Sequence, residues 1–318
     1  MKPLCLTLLL FSAITGASAQ KLTKYFDYLW KECDAAHARF VSEITSTDSG
    51  WHRLDYFVHG PSLQMEGVYE DSACKIPNGK FTWVYPDGKV DRTGRYSHGK
   101  KQGQWLTYHI NGMLADSVDY IEGAPFGTSM SWHINGYTRD SAVYNPDGSG
   151  VDVSWFSNGS VSSAGRYAAG RKMQGKWQFF HKNGKLSAIE LYDQGRLTQK
   201  QYYDTAGQAV FDTTSIDKDA TFKSGVKDWI KYLENHMDFP GNYKITNSDQ
   251  AVVVVIFGVD EDGNIIYPYV SIPFYPPFDK VALDVVRKSP KWQPAIEHHR
   301  RVQTTFQQAV VFNQPADE

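Results

Sequence analysis

A short pattern that recurs five times between Gly79 and Gly195 is the feature that most constrains this chain. Each copy contains an Asx-Gly dipeptide, and the glycines of these dipeptides lie 24, 24, 23 and 25 residues apart. In every copy another glycine precedes the dipeptide glycine by nine residues, and a tyrosine follows it by eight. The dipeptides are Asp87-Gly88, Asn111-Gly112, Asn135-Gly136, Asn158-Gly159 and Asn183-Gly184. Three markers that keep one phase over five copies indicate a repeat protein.

The runs on both sides of each dipeptide are rich in aromatic and β-branched residues, which predicts β-hairpins. Asx-Gly dipeptides favour type I′ turns, in which both central residues have positive φ. Side chains two residues apart share a face of a strand, so equivalent positions form rows along the array. One such row is predicted as a candidate binding face, and it contains Tyr108, Trp132, Trp155 and Phe180.

Both ends of the array contain weaker copies. The segments Trp51–Val58 and Leu63–Tyr69 read as a degenerate first hairpin, and Gln201–Phe211 reads as a decayed last one. Atypical end units are expected in a stacked array, because they face water. The repeats are therefore predicted to span residues 50–212. The lead-in at 20–49 fits either a short helix or an extended segment, followed by a hairpin around Asp48-Ser49-Gly50.

The first residues resemble an export signal. Lys2 precedes an apolar run that ends at Ala17-Ser18-Ala19, which predicts a signal peptide at residues 1–19, cleaved after Ala19. The alternative is a retained transmembrane anchor, which needs roughly 20 apolar residues. With cleavage, we expect an exported protein with no stable membrane span.

Two cysteines, Cys33 and Cys74, remain after cleavage. In an oxidising compartment they could form a disulfide. Two separate thiols are an equal alternative, because the sequence does not show whether the Cα atoms approach each other.

Composition argues against several classes of function. The 33 basic and 35 acidic residues nearly balance, so a nucleic-acid partner is not expected. The sequence has no phosphate loop, nucleophile elbow or Cys/His metal spacing, so we expect no catalysis, no cofactor and no metal. His109, His133 and His181 occupy equivalent positions, but copies about 10 Å apart are too distant for bonds of about 2 Å to one metal. These histidines are expected to be solvated.

The repeats resemble a known type. The pattern G-x-W-x-x-Y, clearest in Gly103–Tyr108 and begun in Gly175-Lys176-Trp177, is similar to MORN-type repeats. This resemblance implies one elongated sheet of hairpins and a role in binding. Copies three and four depart from it, because Ser129 and Asp152 replace the early tryptophan.

The C-terminal residues predict a small α+β domain at 223–314, after a polar linker at 213–222. Its predicted order is α-β-β-α-β. The elements are an apolar helical stripe from Val226 to Met237, a buried strand Val252–Val259, a strand Ile265–Ile272, a helix near Phe278–Ser289 and a strand Val302–Phe312. The whole chain is thus predicted as mainly β, with an elongated single-sheet array of β-hairpin repeats followed by this domain.

This domain resembles the C-terminal domain of TonB energy transducers, through Phe239-Pro240, Asp262-Gly263 and the run from Lys291 to Ala295. The resemblance implies a periplasmic location and contact with outer-membrane TonB-dependent receptors, by addition of a receptor peptide to the sheet edge. The candidate edge residues are Gln303, Thr305, Phe306 and Gln307. Transducers keep an uncleaved N-terminal helix, whereas this chain has an apparent cleavable signal.

The leading hypothesis is a non-catalytic, exported cell-envelope protein that binds other envelope proteins. One alternative is an anchored TonB-type energy transducer for outer-membrane transport. The other is glycan or cell-wall binding by the aromatic repeat face.

Overall fold

The computed structural model describes residues 21–59, 62–212, 214, 216–223, 225–241, 243–246 and 250–314. The predicted signal peptide and the turn residues Gly60 and Pro61 lie outside these residues. Within them, sixteen strands form one antiparallel sheet, and a smaller α+β unit follows. The predicted fold class is confirmed.

The long sheet follows the chain without a crossover, and each of its strands pairs with its sequence neighbours. The extended alternative for the lead-in is correct, because β1 and β2 form there and the described lead-in has no helix. The strands are β1 (Lys21–Phe26), β2 (Phe40–Thr47), β3 (Gly50–Phe57), β4 (Leu63–Tyr69), β5 (Pro77–Val84), β6 (Val90–Ser97), β7 (Lys100–Tyr108), β8 (Leu114–Ile121), β9 (Ala124–Trp132), β10 (Thr138–Tyr144), β11 (Gly150–Trp155), β12 (Val161–Ala168), β13 (Lys172–Phe180), β14 (Leu186–Asp193), β15 (Arg196–Tyr203) and β16 (Ala209–Val210).

The Asx-Gly turns differ from the predicted type. In the first of them Gly88 N donates to Tyr85 O at 2.9 Å, and Tyr85 N donates to Lys89 O at 2.8 Å. Gly88 has φ +87°, whereas Asp87 is not among the residues with positive φ. This is the pattern of a type I turn followed by a left-handed glycine at a bulge, so the type I′ prediction was wrong here.

Type I′ geometry occurs instead in other hairpins that join one repeat to the next, but not between β10 and β11, where Gly148 N donates to Asn145 O as in the Asx-Gly turns. Between β6 and β7 the two-residue loop His98-Gly99 has φ values of 46° and 80°, and Glu122-Gly123 between β8 and β9 has 53° and 84°. Positive φ at both residues matches the twist of the flanking strands. The sequence signal of these loops is weak, because only the glycine is a favoured turn residue.

The asparagine side chains of the turns also connect neighbouring repeats. Asn135 Oδ1 accepts from Tyr137 N at 3.3 Å within its own turn, while Asn135 Nδ2 donates to Ser157 O of the next turn at 2.8 Å. Asn111, Asn158 and Asn183 each donate in the same way to the following turn. These side chains therefore join neighbouring repeats along one edge of the array.

The C-terminal domain contains a three-stranded antiparallel sheet in the order β18-β17-β21. Its helices pack on one face of that sheet, around a core that includes Val253, Val255, Phe257 and Trp229. The elements are α1 (Val226–His236), β17 (Gln250–Val259), β18 (Ile265–Ile272), α2 (Pro276–Arg287), β19 (Ala295–Glu297), β20 (Arg300–Val302) and β21 (Thr304–Asn313). The predicted α-β-β-α-β order is correct, with the short β19–β20 hairpin added before the last strand.

The domain begins to pack before residue 223. Ala220 and Phe222 are 4% and 1% exposed and belong to its core. Lys218 N donates to Ile296 O, and Thr221 N donates to Gln293 O, both at 2.9 Å. The last residues of the predicted linker are therefore an integral part of the domain.

The long sheet must be curved. Flat strands at the usual spacing of about 4.8 Å would place β2 and β15, thirteen strands apart, roughly 60 Å from each other. The C-terminal domain contacts Arg39 just before β2 and also Tyr202 in β15. A compact domain of this length is only about 30 Å across. The sheet therefore bends around the domain.

Candidate functional site

One face of the repeat sheet, which we call the inner face, contains large aromatic side chains that lie over glycines. A Cβ added to any of these glycines would approach the ring within 2.1–2.2 Å. The glycine is needed because only a hydrogen leaves room for the ring. The pairs are Gly67 with Phe81, Gly94 with Trp105 and Gly165 with Trp177.

The two central repeats lack this pairing. Ser129 and Asp152 occupy the aromatic positions, and Val118 and Ala142 lie opposite them in the neighbouring strands. In these repeats both the aromatic residue and the glycine beneath it are replaced. The glycine is therefore absent where no ring has to be accommodated. The middle of the inner face is therefore a gap lined by small and polar side chains.

The C-terminal domain lies over this inner face, and two buried arginines fix it there. Arg300 of the domain is 8% exposed, and its Nη1 donates to Ser162 Oγ at 2.7 Å and to the backbone oxygen of Ser162. Its guanidinium also lies 5.2 Å from the Phe179 ring centroid and 5.6 Å from that of Phe156. Burial lowers the pKa of Arg300 to about 10, within the range where the side chain remains charged at neutral pH.

Arg39 makes the reciprocal contact from the array. It is 7% exposed, and its guanidinium donates to Val252 O at 2.6 Å and to Pro273 O in the domain. It lies 4.9 Å from the centroid of Phe274. Burial lowers its pKa to about 10, while Asp279 opposes that shift. Each arginine thus places its charge on backbone oxygens of the other unit, which favours one relative orientation.

A histidine pair completes the contact near the end of the array. His298 and His299, at the β19–β20 turn, stack on Phe179 and Tyr202 with centroid distances of 3.7 and 4.7 Å. His298 Nδ1 is 2.9 Å from Glu190 Oε2, and Glu190 is 2% exposed. Burial would raise the pKa of Glu190, but hydrogen bonds from His298 and a tyrosine outweigh it and lower that pKa.

Between these contacts lies a cavity of about 730 Å³. One wall is the gap in the inner face, with Ser129, Ser131 and Ser154. The other wall is the open face of the domain sheet, to which Tyr269 and Thr305 contribute. The cavity is therefore a partly open cleft lined by both parts of the chain, and neither part alone would form it.

A close carboxyl pair lies in this gap, with Asp152 buried and Asp140 half-buried. Asp140 and Asp152 are hydrogen-bonded to each other, and the single hydroxyl proton of Ser154 lies within reach of either one, with Oγ 3.2 Å from Asp140 Oδ2 and 3.3 Å from Asp152 Oδ1. Burial, and then the charge of Asp140, raises the pKa of Asp152 to about 7. Burial also raises the pKa of Asp140. Two carboxyl groups this close do not ionise together as easily as isolated ones, so the pair retains a proton to higher pH than a single exposed aspartate does.

The predicted edge residues separate into two groups. Gln303 and Thr305 line the cavity, and Gln307 lies two positions further along on the same exposed face. Phe306 points to the opposite side and packs in the domain core, with its ring 5.6 Å from Phe257 and 5.0 Å from Trp292. Phe306 is therefore not available as a side-chain contact, whereas the other three are.

The predicted aromatic row lies on the other side of the repeat sheet. Tyr108, Trp132, Trp155 and Phe180 are half-buried, and strand alternation directs them away from the inner face. Of the four residues only Trp155 is among those that line the cavity, so most of this row lies apart from the interdomain site.

The equivalent histidines are not simply solvated. His109 Nε2 lies 2.9 Å from Trp132 O, and the corresponding nitrogens of His133 and His181 make the same contact with the next repeat. They join repeats through backbone oxygens, as the turn asparagines do. Among the described residues no cluster of His, Cys, Asp and Glu is arranged to hold a metal. Cys33 and Cys74 are free thiols in the structure, and their pairing under oxidising conditions stays a prediction.

Sequence reasoning missed Arg39, Arg300 and the Asp140–Asp152 pair. The usable signal was the loss of tryptophan at Ser129 and Asp152, because it marks the repeats that do not fill the space beneath the domain.

Comparison with protein families agrees with this architecture. Residues 236–314 match the family described as Gram-negative bacterial TonB protein C-terminal, and residues 173–194 match a MORN repeat variant. Both families are non-enzymatic in general, and the former consists of envelope proteins. No curated protein matches the sequence. Across the parts of the chain that the structure describes, no helix is long and apolar enough to cross a membrane. The chain therefore contains one repeat that matches a MORN repeat variant and a C-terminal segment that matches the TonB C-terminal family.

Proposed function

We propose that this chain is a non-catalytic, exported protein of the cell envelope that binds other envelope proteins. Its C-terminal domain would add an extended peptide of a partner, such as an outer-membrane receptor, to the edge of its sheet. The supporting observation is the position of β21. In the described residues this ten-residue strand pairs with β17 on one side and with no strand on the other.

Strand addition needs backbone groups that face outward and side chains that give selectivity. The unpaired edge of β21 supplies the outward-facing backbone groups. The exposed side chains of Gln303, Thr305 and Gln307 supply the selectivity. The same side chains lie beside the interdomain cavity, so a bound peptide would also lie close to the repeats.

The array has a supporting role in this proposal. Arg39 and Arg300 hold the domain on the inner face, which fixes the direction in which β21 is presented. Presentation of the edge in one fixed orientation would lower the entropy cost of binding.

Photo-crosslinking in the full-length protein tests the proposal. With p-benzoylphenylalanine at Gln307, light should produce an adduct with an outer-membrane polypeptide in envelope preparations of the source bacterium. The same photo-reactive residue at Lys280, exposed on α2, is the matched control. Absence of an adduct at Gln307, or the same adduct at both positions, would contradict strand addition at β21.

Export is tested separately by N-terminal sequencing of the protein recovered from the envelope fraction. A first residue at Gln20 is expected from cleavage after Ala19. An intact N-terminus would instead support the anchored transducer.

A further inference from the structure

The interdomain cavity has the size and lining of a ligand site. Its volume of about 730 Å³ falls within the range of about 300–1,000 Å³ that is usual for small-molecule sites. Cavities that stay empty are apolar, whereas polar ones hold water or a polar ligand. A space this large beneath a docked domain calls for an occupant of corresponding size.

The cavity also has a clear cause in the sequence. In the flanking repeats Trp105 and Trp177 occupy the inner face, whereas Ser129 and Asp152 stand at the equivalent positions in the centre. Restoring two indole rings would fill much of the space. The repeats are otherwise regular, so the gap is a local change confined to the position under the domain.

The lining is nearly neutral. Asp116 is paired with Arg139 at 2.7 Å, and Glu261 is paired with Lys182 at 2.9 Å. The Asp140–Asp152 pair keeps one negative charge even when it holds a proton, and Arg300 and Glu297, which also line the cavity, carry opposite charges. The lining therefore has no excess of basic groups for a phosphate, and its small acidic excess gives a polyamine little advantage over a neutral ligand.

The polar groups that remain are mainly hydroxyls. Ser129, Ser131, Ser154, Thr305 and Tyr267 line the cavity, and each hydroxyl both donates and accepts. Asp140 adds a strong acceptor. Such a set matches ligands whose own groups are hydroxyls, because these too donate and accept at once.

The domain sheet forms one side of the cavity. On the domain side its lining residues come from all three strands: Gly258 in β17, Tyr269 in β18 and Thr305 in β21. A ligand inside the cavity meets side chains of all three strands, whereas a peptide added to the sheet would pair with the backbone along the edge of β21. The two sites adjoin at Gln303 and Thr305, which line the cavity and also lie at the start of that edge.

We propose that the interdomain cavity binds a neutral, polyhydroxylated ligand, an oligosaccharide of two or three units. Its hydroxyls pair with the serines and with Asp140, and its apolar ring faces lie against Tyr269. The site is distinct from the outer aromatic row, and the inference does not depend on peptide binding at β21.

Isothermal titration of the full-length protein with maltotriose, cellotriose and chitotriose tests this. At least one trisaccharide is expected to bind with a dissociation constant below about 1 mM. Asp140→Asn keeps the volume but replaces a strong acceptor, so the affinity should fall about tenfold. Absence of binding for all three sugars would overturn the proposal.

A cavity-filling variant gives the sharper test. Val118→Gly with Ser129→Trp restores the glycine–tryptophan pair that Gly94 and Trp105 already form in the same array, so the variant should fold. It should bind the trisaccharide at least tenfold more weakly. Thr128→Trp adds the same ring to the same strand on the opposite, exposed face and should bind as the unmodified protein does.

Two outcomes would refute this location. One is unchanged affinity in the filled variant, with circular dichroism showing that it is folded. The other is loss of affinity in Trp132→Ala, which would assign sugar binding to the outer aromatic row.

Discussion

Replacing Asp152 with asparagine should stabilise the protein, and the gain should depend on pH. Asp152 is 7% exposed and hydrogen-bonded to Asp140. Its pKa is raised from 3.8 to about 7, first by burial and then by the neighbouring carboxylate. Between these two values the folded protein holds a proton that the unfolded chain has released, so folding becomes less favourable as the pH rises.

The magnitude follows from the size of that shift. A rise from 3.8 to about 7, at 1.36 kcal/mol per pKa unit, sets an upper limit of about 4 kcal/mol. The adjoining cavity admits water that screens the carboxylate, so we expect about half of this, roughly 2 kcal/mol. Asparagine has no charge to bury, and its amide can still donate to Asp140. The free energy of unfolding of the variant should rise relative to that of the unmodified protein from about pH 4 to pH 7. Above pH 7 the difference should stay constant.

Urea unfolding followed by tryptophan fluorescence, repeated at intervals from pH 4 to pH 8.5, measures this difference. Asp119→Asn, on an exposed strand position, controls for the change of net charge and should show no comparable trend. If the free energies of unfolding of Asp152→Asn and the unmodified protein run parallel over the whole pH range, the buried carboxyl pair does not titrate as described.

Three further substitutions test other contacts. Gly165→Ala would place a Cβ 2.1 Å from the Trp177 ring and should lower the free energy of unfolding by about 3 kcal/mol, measured by urea unfolding. Asn135→Asp loses the 2.8 Å bond to Ser157 O and sets a charge against that oxygen, so unfolding should become easier by about 1 kcal/mol. Arg300→Glu adds a carboxylate near three others and should release the domain, which small-angle X-ray scattering would show as an increased radius of gyration.

Each of these has a matched control in the chain. Gly241→Ala has no atom within 4 Å of the new Cβ and should be neutral. Asp87→Asn introduces the turn amide that four other repeats already have, so it should not destabilise. Arg301→Met changes an exposed neighbour of Arg300 and should leave the scattering unchanged. Equal effects in a variant and its control would remove the corresponding explanation.

The repeat period predicted most of the array. A hairpin depends on a turn and on the two runs beside it, and both are local, so the strands around Gly112 and Gly136 could be placed from sequence. The turn type could not, because Asn-Gly fits more than one turn and the bulge after it decides which one forms. The His98-Gly99 loop was missed because histidine gives little indication of positive φ.

The interdomain contacts were beyond the reach of sequence reasoning for a different reason. Arg300 and Ser162 are 138 residues apart, and nothing near either residue indicates the other. An arginine in an edge hairpin reads as solvated, since most arginines are. Only the curvature of the sheet brings the two together, and that curvature is a sum of small twists over many strands.

The gap at Ser129 and Asp152 links the repeat sequence to the contact between the array and the C-terminal domain. A repeat that loses a tryptophan would normally lose stability, because the ring covers the sheet. Here the docked domain covers the same region, and Arg39 and Arg300 hold it there from both units of the chain. The central repeats can therefore be polar without exposing a weakened core to bulk water. The cost of burying the Asp140–Asp152 pair remains in the free protein, and a ligand that donates hydroxyls to these carboxyls would offset it. Ligand binding would therefore contribute most to stability at the two central repeats, where the array is least regular.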